Sequence, residues 1–293
     1  MATDEMVGQV VEVGEATMPP IKSAAVLLHP KIPRSREIAD EVCAALDNCT
    51  LQVSRGSVWD VAQLHELMPR VDVAITLGGD GSILRAARVA ALYDTPVLGI
   101  NLGKLGFLAE IEPADVSARI PPLVRGAYWI EQRIMLRVEH RRGEQPLAHY
   151  QALNEAVVGR RSLSRVVRVP VLLNGQELAT YKGDGVLVAT PTGSTAYSHA
   201  ADGPILHPEV RDLVITPICA HPRPTGSIVV PSNTEVTLTA LTDHEAALSI
   251  DGQDDVPMHD GDTAVMGISP YTARFLRSQR RDYFYQTLMR KLR

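Results

Sequence analysis

The stretch that decides the fold is Val71-Asp-Val-Ala-Ile-Thr-Leu77, which runs directly into Gly78-Gly79-Asp80-Gly81. Its apolar and β-branched residues predict a buried strand. The glycines allow a tight turn, and a helix is predicted to follow over residues 82–93. Where such a strand meets a helix, free backbone N–H groups and the positive end of the helix dipole coincide, which suits a phosphate. An ordinary turn that starts a helix remains the alternative at this point.

Asp80 is the charged residue of this turn. If phosphate binds here, a carboxylate must have another task, such as accepting a proton or holding a magnesium ion while the N–H groups bind phosphate. Other phosphate motifs are absent. The segment Gly99-Ile-Asn-Leu-Gly103-Lys104-Leu105 has too few residues between its glycines for a Walker loop. The chain also lacks the G-x-G-x-x-G fingerprint and the G-x-S-x-G elbow.

The sequence on either side of the turn alternates apolar strands with helical patterns. Buried strands are predicted at residues 23–29 and 96–100, and helices at 35–46 and 59–68, with Ser57 as the cap of the second helix. This alternation predicts a Rossmann-like parallel sheet with helices on both faces. Ligands of such sheets bind where strands end and helices begin.

From Trp129 onward, most segments have the alternating pattern of a β-strand. Asn174-Gly175 predicts a type I′ hairpin turn, and residues 271–293 return to a helical composition. The predicted fold class is α/β plus β, with an N-terminal Rossmann-like parallel-sheet domain and a C-terminal β-sandwich-type domain. The predicted boundaries are a mobile leader at 1–20, an α/β domain at 21–117, a β-rich domain at 118–270 and a C-terminal segment at 271–293.

A second polar site is predicted at Thr190-Pro-Thr-Gly-Ser-Thr-Ala-Tyr-Ser198, which follows an apolar strand. Its small residues let a flat ligand approach the backbone, and Tyr197 offers a ring for stacking. A hydroxyl-rich loop that caps a helix is the alternative. Asn154-Glu155 interrupts another apolar strand, where polar side chains need a partner. Lys182-Gly183-Asp184 places a cation and a carboxylate on either side of a glycine.

Composition narrows the classes of partner. The chain has 29 basic and 34 acidic side chains and a net charge of −5, which argues against nucleic acid. Its three cysteines match neither a disulfide framework nor a zinc site, and no apolar run is long enough to cross a membrane. No secretory signal is visible, so we expect a cytoplasmic protein that binds no membrane. The nine histidines show no metal-ligand spacing, and no metal ligand is assigned.

Together these segments resemble the NAD kinase family, which phosphorylates the adenosine ribose 2′-hydroxyl of NAD with ATP or, in some members, polyphosphate. The resemblance runs over residues 24–285 in the family's order. Its pieces are Gly78–Gly81, Gly99–Leu108, Asn154-Glu155, Gly183–Gly185 and Thr190–Ser198. The glycine turn alone also occurs in lipid kinases and phosphofructokinases, whereas the last segment together with Asn154-Glu155 is highly specific.

The resemblance implies roles by position. It makes Asp80 the catalytic base, and it implies ATP as donor, Mg²⁺ as the accompanying ion, a homodimer or homotetramer, a dinucleotide-binding β-rich domain, and a C-terminal segment packed on the first domain. The positions that it implies for binding NAD or nucleotide are Gly79, Gly81, Arg85, Phe107, Asn154, Glu155, Arg165, Lys182, Asp184, Thr195, Ala196, Tyr197, Ser198, His199, Ala200 and Gln253.

One segment departs from the family pattern. At His221-Pro-Arg-Pro-Thr-Gly226-Ser227 the family's usual arginine aligns with Gly226, and Arg223 is a possible substitute. Two rival functions stay open: a kinase for another alcohol, and a non-catalytic dinucleotide sensor. Apart from Gln253, the acidic residues at 251–262 are interpreted as turns between strands. Of the local arginines, Arg160, Arg161 and Arg168 are interpreted as solvated.

Overall fold

A computed structural model of the chain describes residues 18–103, 106–162, 165–221 and 225–291. Most of the predicted leader, and Arg223, lie outside these residues. The N-terminal part alternates strands and helices as predicted. Its elements are β1 Ser23–Leu28, α1 Arg34–Asp47, β2 Gln52–Ser57, α2 Val61–Leu67, β3 Val73–Gly78, α3 Asp80–Ala90, β4 Val97–Asn101 and α4 Val116–Val124.

The rest of the chain is mostly strand. Its elements are β5 Trp129–Arg142, β6 Gln145–Ala152, β7 Glu155–Arg160, β8 Val167–Leu173, β9 Gln176–Gly183, β10 Gly185–Ala189, α5 Tyr197–Ala200, β11 Leu213–Ile218, β12 Ile228–Val230, β13 Val236–Thr239, β14 Ala246–Ile250, β15 Asp254–Met258, β16 Asp262–Arg277 and α6 Tyr283–Lys291.

Two sheets organise the molecule. One has the order β2-β1-β3-β4-β16-β13-β8-β9, with β5 paired to β16 and β6 paired to β5. Strands β1 to β4 are parallel, and the long strand β16 extends this sheet into the antiparallel half through Phe275 beside Val97. The other sheet has the antiparallel order β12-β11-β10-β7-β14-β15. The predicted fold class, a mixed α/β domain followed by an antiparallel β domain, is confirmed.

The cores follow from these layers. On one face of the parallel sheet the apolar sides of α1 and α4 are buried, and on the other face those of α2 and α3. Between the two sheets lies an aliphatic core built from alternate residues of β5, β7, β8, β10, β13, β14 and β16. The parallel strands are buried and rigid. The loops at their carboxyl ends are therefore held in fixed positions, which suits a binding site.

The Asn-Gly prediction is confirmed, since Asn174 and Gly175 have φ angles of 49° and 80° between β8 and β9. The prediction of Ser57 as a cap is wrong. Ser57 ends β2, and the side chain of Asp60 accepts the Gln63 N–H at the start of α2 (3.0 Å). β2 was missed because it is a polar edge strand without an apolar alternation.

Two further differences concern the predicted C-terminal helix and the predicted domain boundary. Residues 271–277 are not helical, because β16 continues through Arg277 and pairs with the start of β5. The predicted boundary at residue 117 falls inside α4, whose two internal prolines obscure its helical pattern. Among the described residues, no helix has the length and apolar character needed to cross a bilayer.

Candidate active site

Asp80 begins α3 directly after the fully buried strand β3. Its half-buried carboxylate is held by two backbone groups: the Phe107 N–H donates to Oδ2 (2.8 Å), and the Leu108 N–H donates to Oδ1 (3.1 Å). Each oxygen accepts one of these bonds and keeps a further lone pair. The carboxylate is thus fixed in orientation and can still accept a proton or bind a cation.

The glycines around Asp80 fall into two groups. A Cβ at Gly78 would meet Ser82 Oγ at 2.4 Å, and one at Gly106 would meet Asp80 Oδ1 at 1.8 Å. Protein packing therefore requires both of these glycines. A Cβ at Gly79 or Gly81 would meet no atom within 4 Å in the part of the chain that the structure describes. The open space beside Gly79 and Gly81 lets a ligand approach the N-terminal backbone of α3.

The hydroxyl-rich turn at 190–198 is held mostly by its own side chains. Thr190 Oγ1 donates to Leu153 O (2.5 Å), Ser194 Oγ donates to Pro191 O (2.6 Å), and Ser198 Oγ lies 3.2 Å from Thr216 Oγ1. These hydroxyls hold the turn together, but none of them caps α5, which begins without a side-chain cap, so the alternative of a helix-capping loop is not met. The exposed part of the segment is formed by Tyr197, His199 and Ala200, with Thr195 and Ala196 half-buried.

The same turn packs against Asn154. Thr190 N–H donates to Asn154 O (2.8 Å), and a Cβ at Gly193 would lie 2.2 Å from that oxygen. Only a glycine at 193 allows this approach. The turn and the Asn154-Glu155 pair are therefore parts of one structure.

Glu155 is a buried acid beside this turn, with 6% of its surface exposed. Its Oε2 has no hydrogen-bond partner among the described residues. Burial, and then the neighbouring carboxyl of Asp251, raise the pKa of Glu155 to about 8. Near pH 7 a protonated Glu155 can donate a hydrogen bond, which an ionised carboxylate cannot.

Tyr197 is the exposed aromatic residue of the same turn. Its ring is 44% exposed, and its pKa is raised by partial burial and by the charges of Asp184, Cys219 and Glu155. An exposed ring beside two acids offers a stacking surface with polar groups at its rim. Tyr197 therefore lies close enough to Glu155 and Asp184 for their charges to act on it.

A prediction follows for pH-dependent stability. A folded-state pKa of about 8 lies above the unfolded value for glutamate, so stability is lost as pH rises through the interval from about 4.5 to 8. Glu155→Gln stays neutral at every pH. We expect its free energy of unfolding, relative to the unsubstituted chain, to increase by roughly 2–4 kcal/mol between pH 5 and pH 8. Urea unfolding at both pH values measures this change.

The control is Glu139→Gln, because hydrogen bonding from Arg141 lowers the pKa of Glu139 and leaves it ionised at both pH values. Its effect on stability should be the same at pH 5 and pH 8. Equal effects of Glu155→Gln at the two pH values would contradict the assignment of a neutral Glu155.

Asp251 fixes the backbone of the Asn154 segment. Its buried carboxylate accepts the N–H groups of Leu153 (2.9 Å), Asn154 (2.8 Å) and Glu155 (3.0 Å). Burial raises the pKa of Asp251, while Arg88 and these backbone bonds lower it. The sequence pattern predicts only a turn at this aspartate. It does occupy a turn, with a φ of 53°, but its contacts are to another strand.

Arg88 connects α3 to this acidic turn. Its guanidinium lies 3.5 Å from Asp251 Oδ2 and 2.8 Å from Asp254 Oδ2, and it donates to Gln151 O (3.0 Å). Gln253 adds a second link, since its Nε2 donates to Gly81 O (3.2 Å). The helix that begins with Asp80 is thereby joined to the loop that holds Asn154 and Glu155. Arg88 was missed in the sequence, although it lies one helical turn after Arg85.

We expect Arg88→Gln to cost about 3–5 kcal/mol of stability, because it leaves the Asp251 carboxylate buried without its cation. Asp254→Asn removes only the half-exposed partner of Arg88 and should cost about 0–1 kcal/mol. Because Asp251 holds the Asn154-Glu155 backbone, Arg88→Gln should also raise the KM for any substrate that binds these two residues. Denaturant unfolding and steady-state kinetics measure both effects. Equal costs for the two variants would contradict this role of Arg88.

The other predicted site residues lie in several different parts of the structure. Arg85 stacks on Trp59 (4.4 Å), and the Phe107 ring lies against Phe284 (6.0 Å) and Lys291 (4.3 Å). Lys182 and Arg165 are exposed, and Lys182 lines a separate cavity together with Arg168 and Asp260. Lys182 and Arg165 show no contact with the Asp80 turn among the described residues.

Asp184 pairs with Arg160, for which the sequence predicts a solvated side chain. Arg160 Nε lies 2.6 Å from Asp184 Oδ1, and the Arg160 N–H donates to Asp184 O (2.9 Å). The interpretation of Arg160 as solvated is wrong, because pairing of β7 with β10 brings the two residues together. Gly226 is exposed. Within the described parts of the chain, no three His, Cys, Asp or Glu side chains cluster in a way that could hold a metal ion.

Two family models and a known protein match most of this chain. The model of the ATP-NAD kinase N-terminal domain matches residues 28–128, and that of the C-terminal domain matches residues 153–278. An NAD kinase of Dehalococcoides mccartyi is 37% identical over 273 residues, which cover 93% of this chain and 96% of that relative.

Solved structures are also similar. Yeast NADH kinase, crystallised with NADH, superposes with a TM-score of 0.82 at 22% identity. The superposition covers 93% of this chain and 88% of the yeast chain. An NAD kinase from Archaeoglobus fulgidus, in complex with ATP, has a TM-score of 0.74 at 25% identity and covers 92% and 98%.

Proposed function

The chain belongs to the NAD kinase family, and it transfers the γ-phosphate of ATP to the adenosine 2′-hydroxyl of NAD to make NADP; we propose that Asp80 is the residue that assists this transfer. The observation that carries the proposal is the fixed carboxylate at the start of α3, beside the open space at Gly79 and Gly81. The carbonyl of the neighbouring Gly81 accepts a hydrogen bond from the side chain of Gln253, which lies on the side that we assign to the acceptor NAD.

A ribose hydroxyl is about 10 pKa units less acidic than an aspartate carboxyl. Asp80 therefore orients the 2′-hydroxyl and accepts its proton late, as the new P–O bond forms. Such general-base assistance contributes roughly 10²–10⁴ in rate. The N-terminal N–H groups of α3 stabilise charge on the transferred phosphate, since they face the open space beside Gly79 and Gly81.

The acceptor is held on the opposite side of Asp80. We assign NAD to Asn154, Glu155 and Tyr197, with Gln253 bridging from this side to Gly81. A neutral Glu155 donates a hydrogen bond to an acceptor oxygen or nitrogen of the dinucleotide, and Tyr197 stacks on one of its planar groups. The hydrogen bond from Gln253 to Gly81 connects the acceptor side to the Asp80 turn. This connection keeps the acceptor hydroxyl in line with the phosphate.

Mg²⁺ is proposed as the accompanying ion. Asp80 offers a free lone pair on each carboxylate oxygen, and the donor's phosphates and water would complete the ligand set that Mg²⁺ prefers. This donor set fits an ion that arrives with ATP rather than one held by a dedicated protein cage. Bound there, Mg²⁺ would neutralise the charge that develops on the phosphate oxygens. The homodimer or homotetramer and the cytoplasmic location stay predictions.

The direct test incubates the protein with ATP, Mg²⁺ and NAD and measures NADP with an NADP-specific dehydrogenase. We expect NADP to accumulate with time and to depend on all three additions. If folded protein phosphorylates a lipid or sugar alcohol but not NAD, the rival kinase is correct. If it binds NAD but transfers no phosphate, it is a sensor.

A further inference from the structure

The two N–H groups that hold Asp80 come from Phe107 and Leu108. Residues 106–109 belong to no helix or strand. The first backbone hydrogen bond after them is donated by the Glu110 N–H to β4 (2.8 Å). A segment with few backbone hydrogen bonds of its own opens easily unless other contacts hold it. The orientation of the Asp80 carboxylate therefore depends on the groups that hold this segment.

Arg277 contacts the segment directly. It is the last residue of β16, and its side chain is fully buried. Its Nη1 donates to Leu108 O (3.0 Å) and lies 3.4 Å from Ala109 O. The backbone of Leu108 therefore connects two side chains, because its N–H donates to Asp80 and its C=O accepts from Arg277.

Glu110 attaches the same segment to the chain that follows Arg277. Its buried carboxylate accepts the N–H groups of Ser278 (2.8 Å) and Gln279 (2.9 Å) through Oε1. Its Oε2 lies 3.3 Å from Arg277 Nη1. In return, Gln279 Nε2 donates to Glu110 O (3.2 Å). The end of β16 thus holds residues 108–110 through both side chains and backbone.

The Arg277 guanidinium is also fixed from its other side. Its Nε donates to Glu131 Oε2 (2.9 Å), and its Cζ lies 4.9 Å from the ring centre of Tyr283 and 5.1 Å from that of Phe275. Burial alone would raise the pKa of Glu131, but the charges of Arg133 and Arg277 lower it to about 2. Glu131 is therefore ionised at neutral pH. A guanidinium that bonds to a buried carboxylate in this way keeps a fixed orientation.

We propose that Arg277, assisted by Glu110, is a positioning residue for the phosphoryl transfer. Through the Leu108 backbone it keeps the Asp80 carboxylate in the orientation that accepts the proton of the acceptor hydroxyl. Within the described residues Arg277 makes no hydrogen bond with Asp80, so it acts on the reaction only through residues 107–110. This inference rests on the proposed function, since it needs Asp80 as the residue that assists the transfer. The alternative is a buried ion-pair network that only stabilises the fold.

The first test is Arg277→Lys, which keeps the buried positive charge. Lysine has one nitrogen where arginine uses Nε for Glu131 and Nη1 for Leu108, so one of these contacts is lost or lengthened. We expect kcat per folded enzyme to fall by about 10- to 10²-fold, because a displacement of about 1 Å in an aligned group can cost 10²-fold. The KM values for ATP and for NAD should stay within about threefold.

Glu110→Gln is a second variant, and it leaves the pair between Arg277 and Glu131 intact. It removes the charge that accepts two N–H groups after β16, so kcat should fall by about three- to tenfold with little change in either KM. Tyr283→Phe is the matched control. It removes a hydroxyl that bonds to Glu131 in the same network (2.9 Å), but this hydroxyl makes no hydrogen bond with the described residues 106–110. Its kcat should stay within about twofold.

Amide hydrogen exchange tests the proposal without turnover. We expect Arg277→Lys to speed exchange at least about tenfold in a peptide that spans residues 106–111, because the local support of this segment is lost. Exchange in β3 should stay unchanged, and Tyr283→Phe should leave both regions unchanged. Equal acceleration in β3 and at residues 106–111 would show a general loss of stability and would overturn the inference.

The effect must also act through Asp80. In the Asp80→Asn background, Arg277→Lys should lower kcat by less than about threefold, because the two changes remove the same interaction. Normal kcat in folded Arg277→Lys and Glu110→Gln overturns the inference and leaves the proposed function intact. A fully additive loss in the double variant, or an equal loss in Tyr283→Phe, does the same. If the folded, unsubstituted protein makes no NADP, the proposed function fails and the inference fails with it.

Discussion

Asp80→Asn is expected to lower kcat by roughly 10²–10⁴ while the dissociation constant for NAD changes by less than about threefold. The substitution keeps the size of the side chain and removes the group that accepts the proton. NAD binding should persist, because we assign it to Asn154, Glu155 and Tyr197. Single-turnover kinetics and NAD titration separate the two quantities.

The geometry sharpens this expectation. Both oxygens of Asp80 accept a backbone N–H, from Phe107 and from Leu108. In asparagine one of these positions becomes an NH₂ group, which faces an N–H donor and cannot accept from it. The asparagine side chain will therefore rotate or lose one bond. The loss of kcat then combines the missing base with a less firmly held side chain.

Asp115→Asn is a suitable control, because Asp115 is an exposed aspartate that directly precedes α4 in the same domain. It removes the same charge from another helix start, and kcat should stay within about twofold. If Asp80→Asn folded normally, bound NAD and kept near-normal turnover, the catalytic role of Asp80 would be refuted. A loss of stability without a loss of kcat would assign Asp80 to structure.

The N-terminal fold could be predicted because its signals are local. The apolar run before Gly78 and the helical pattern after Asp80 each lie within about a dozen residues. The turn at Asn174-Gly175 depends only on two positive φ angles. β2 escaped prediction because a polar edge strand has no apolar face to reveal it. Local patterns therefore predicted the buried elements and missed the edge.

The contacts around the site are not local, and the sequence carries no signal for them. Asp251 reaches Glu155 only because β14 pairs with β7, so that the turn after β14 covers the start of β7. Arg88 meets both Asp251 and Asp254 across two domains. A count of hydroxyls in residues 190–198 also cannot tell which of them are already bonded within the turn, as Ser194 is. Composition shows which hydrogen-bond donors a segment contains. Only the folded structure shows which of these donors are already bonded and which remain free.

Gly106→Ala is expected to lower kcat by about 10²-fold, although Asp80 itself is unchanged. A Cβ at residue 106 would lie 1.8 Å from Asp80 Oδ1 and 2.4 Å from its Cγ, so the carboxylate or the 106–108 segment must move. A displacement of about 1 Å in an aligned catalytic group can cost 10²-fold. Steady-state kinetics with saturating ATP and NAD measure the effect. The KM for NAD should change little, since its proposed contacts lie elsewhere.

Gly103→Ala is the matched control in the same loop, because a Cβ at Gly103 meets no atom of the described residues within 4 Å. Its kcat should stay within about twofold. The double variant Asp80→Asn with Gly106→Ala then shows whether Gly106 acts through the carboxylate. If it does, Gly106→Ala costs far less in the Asp80→Asn background than in the unsubstituted enzyme, because the two changes remove the same interaction. Fully additive effects would mean that Gly106 supports turnover independently of Asp80. The fixed position of the Asp80 carboxylate would then not explain the effect of Gly106→Ala.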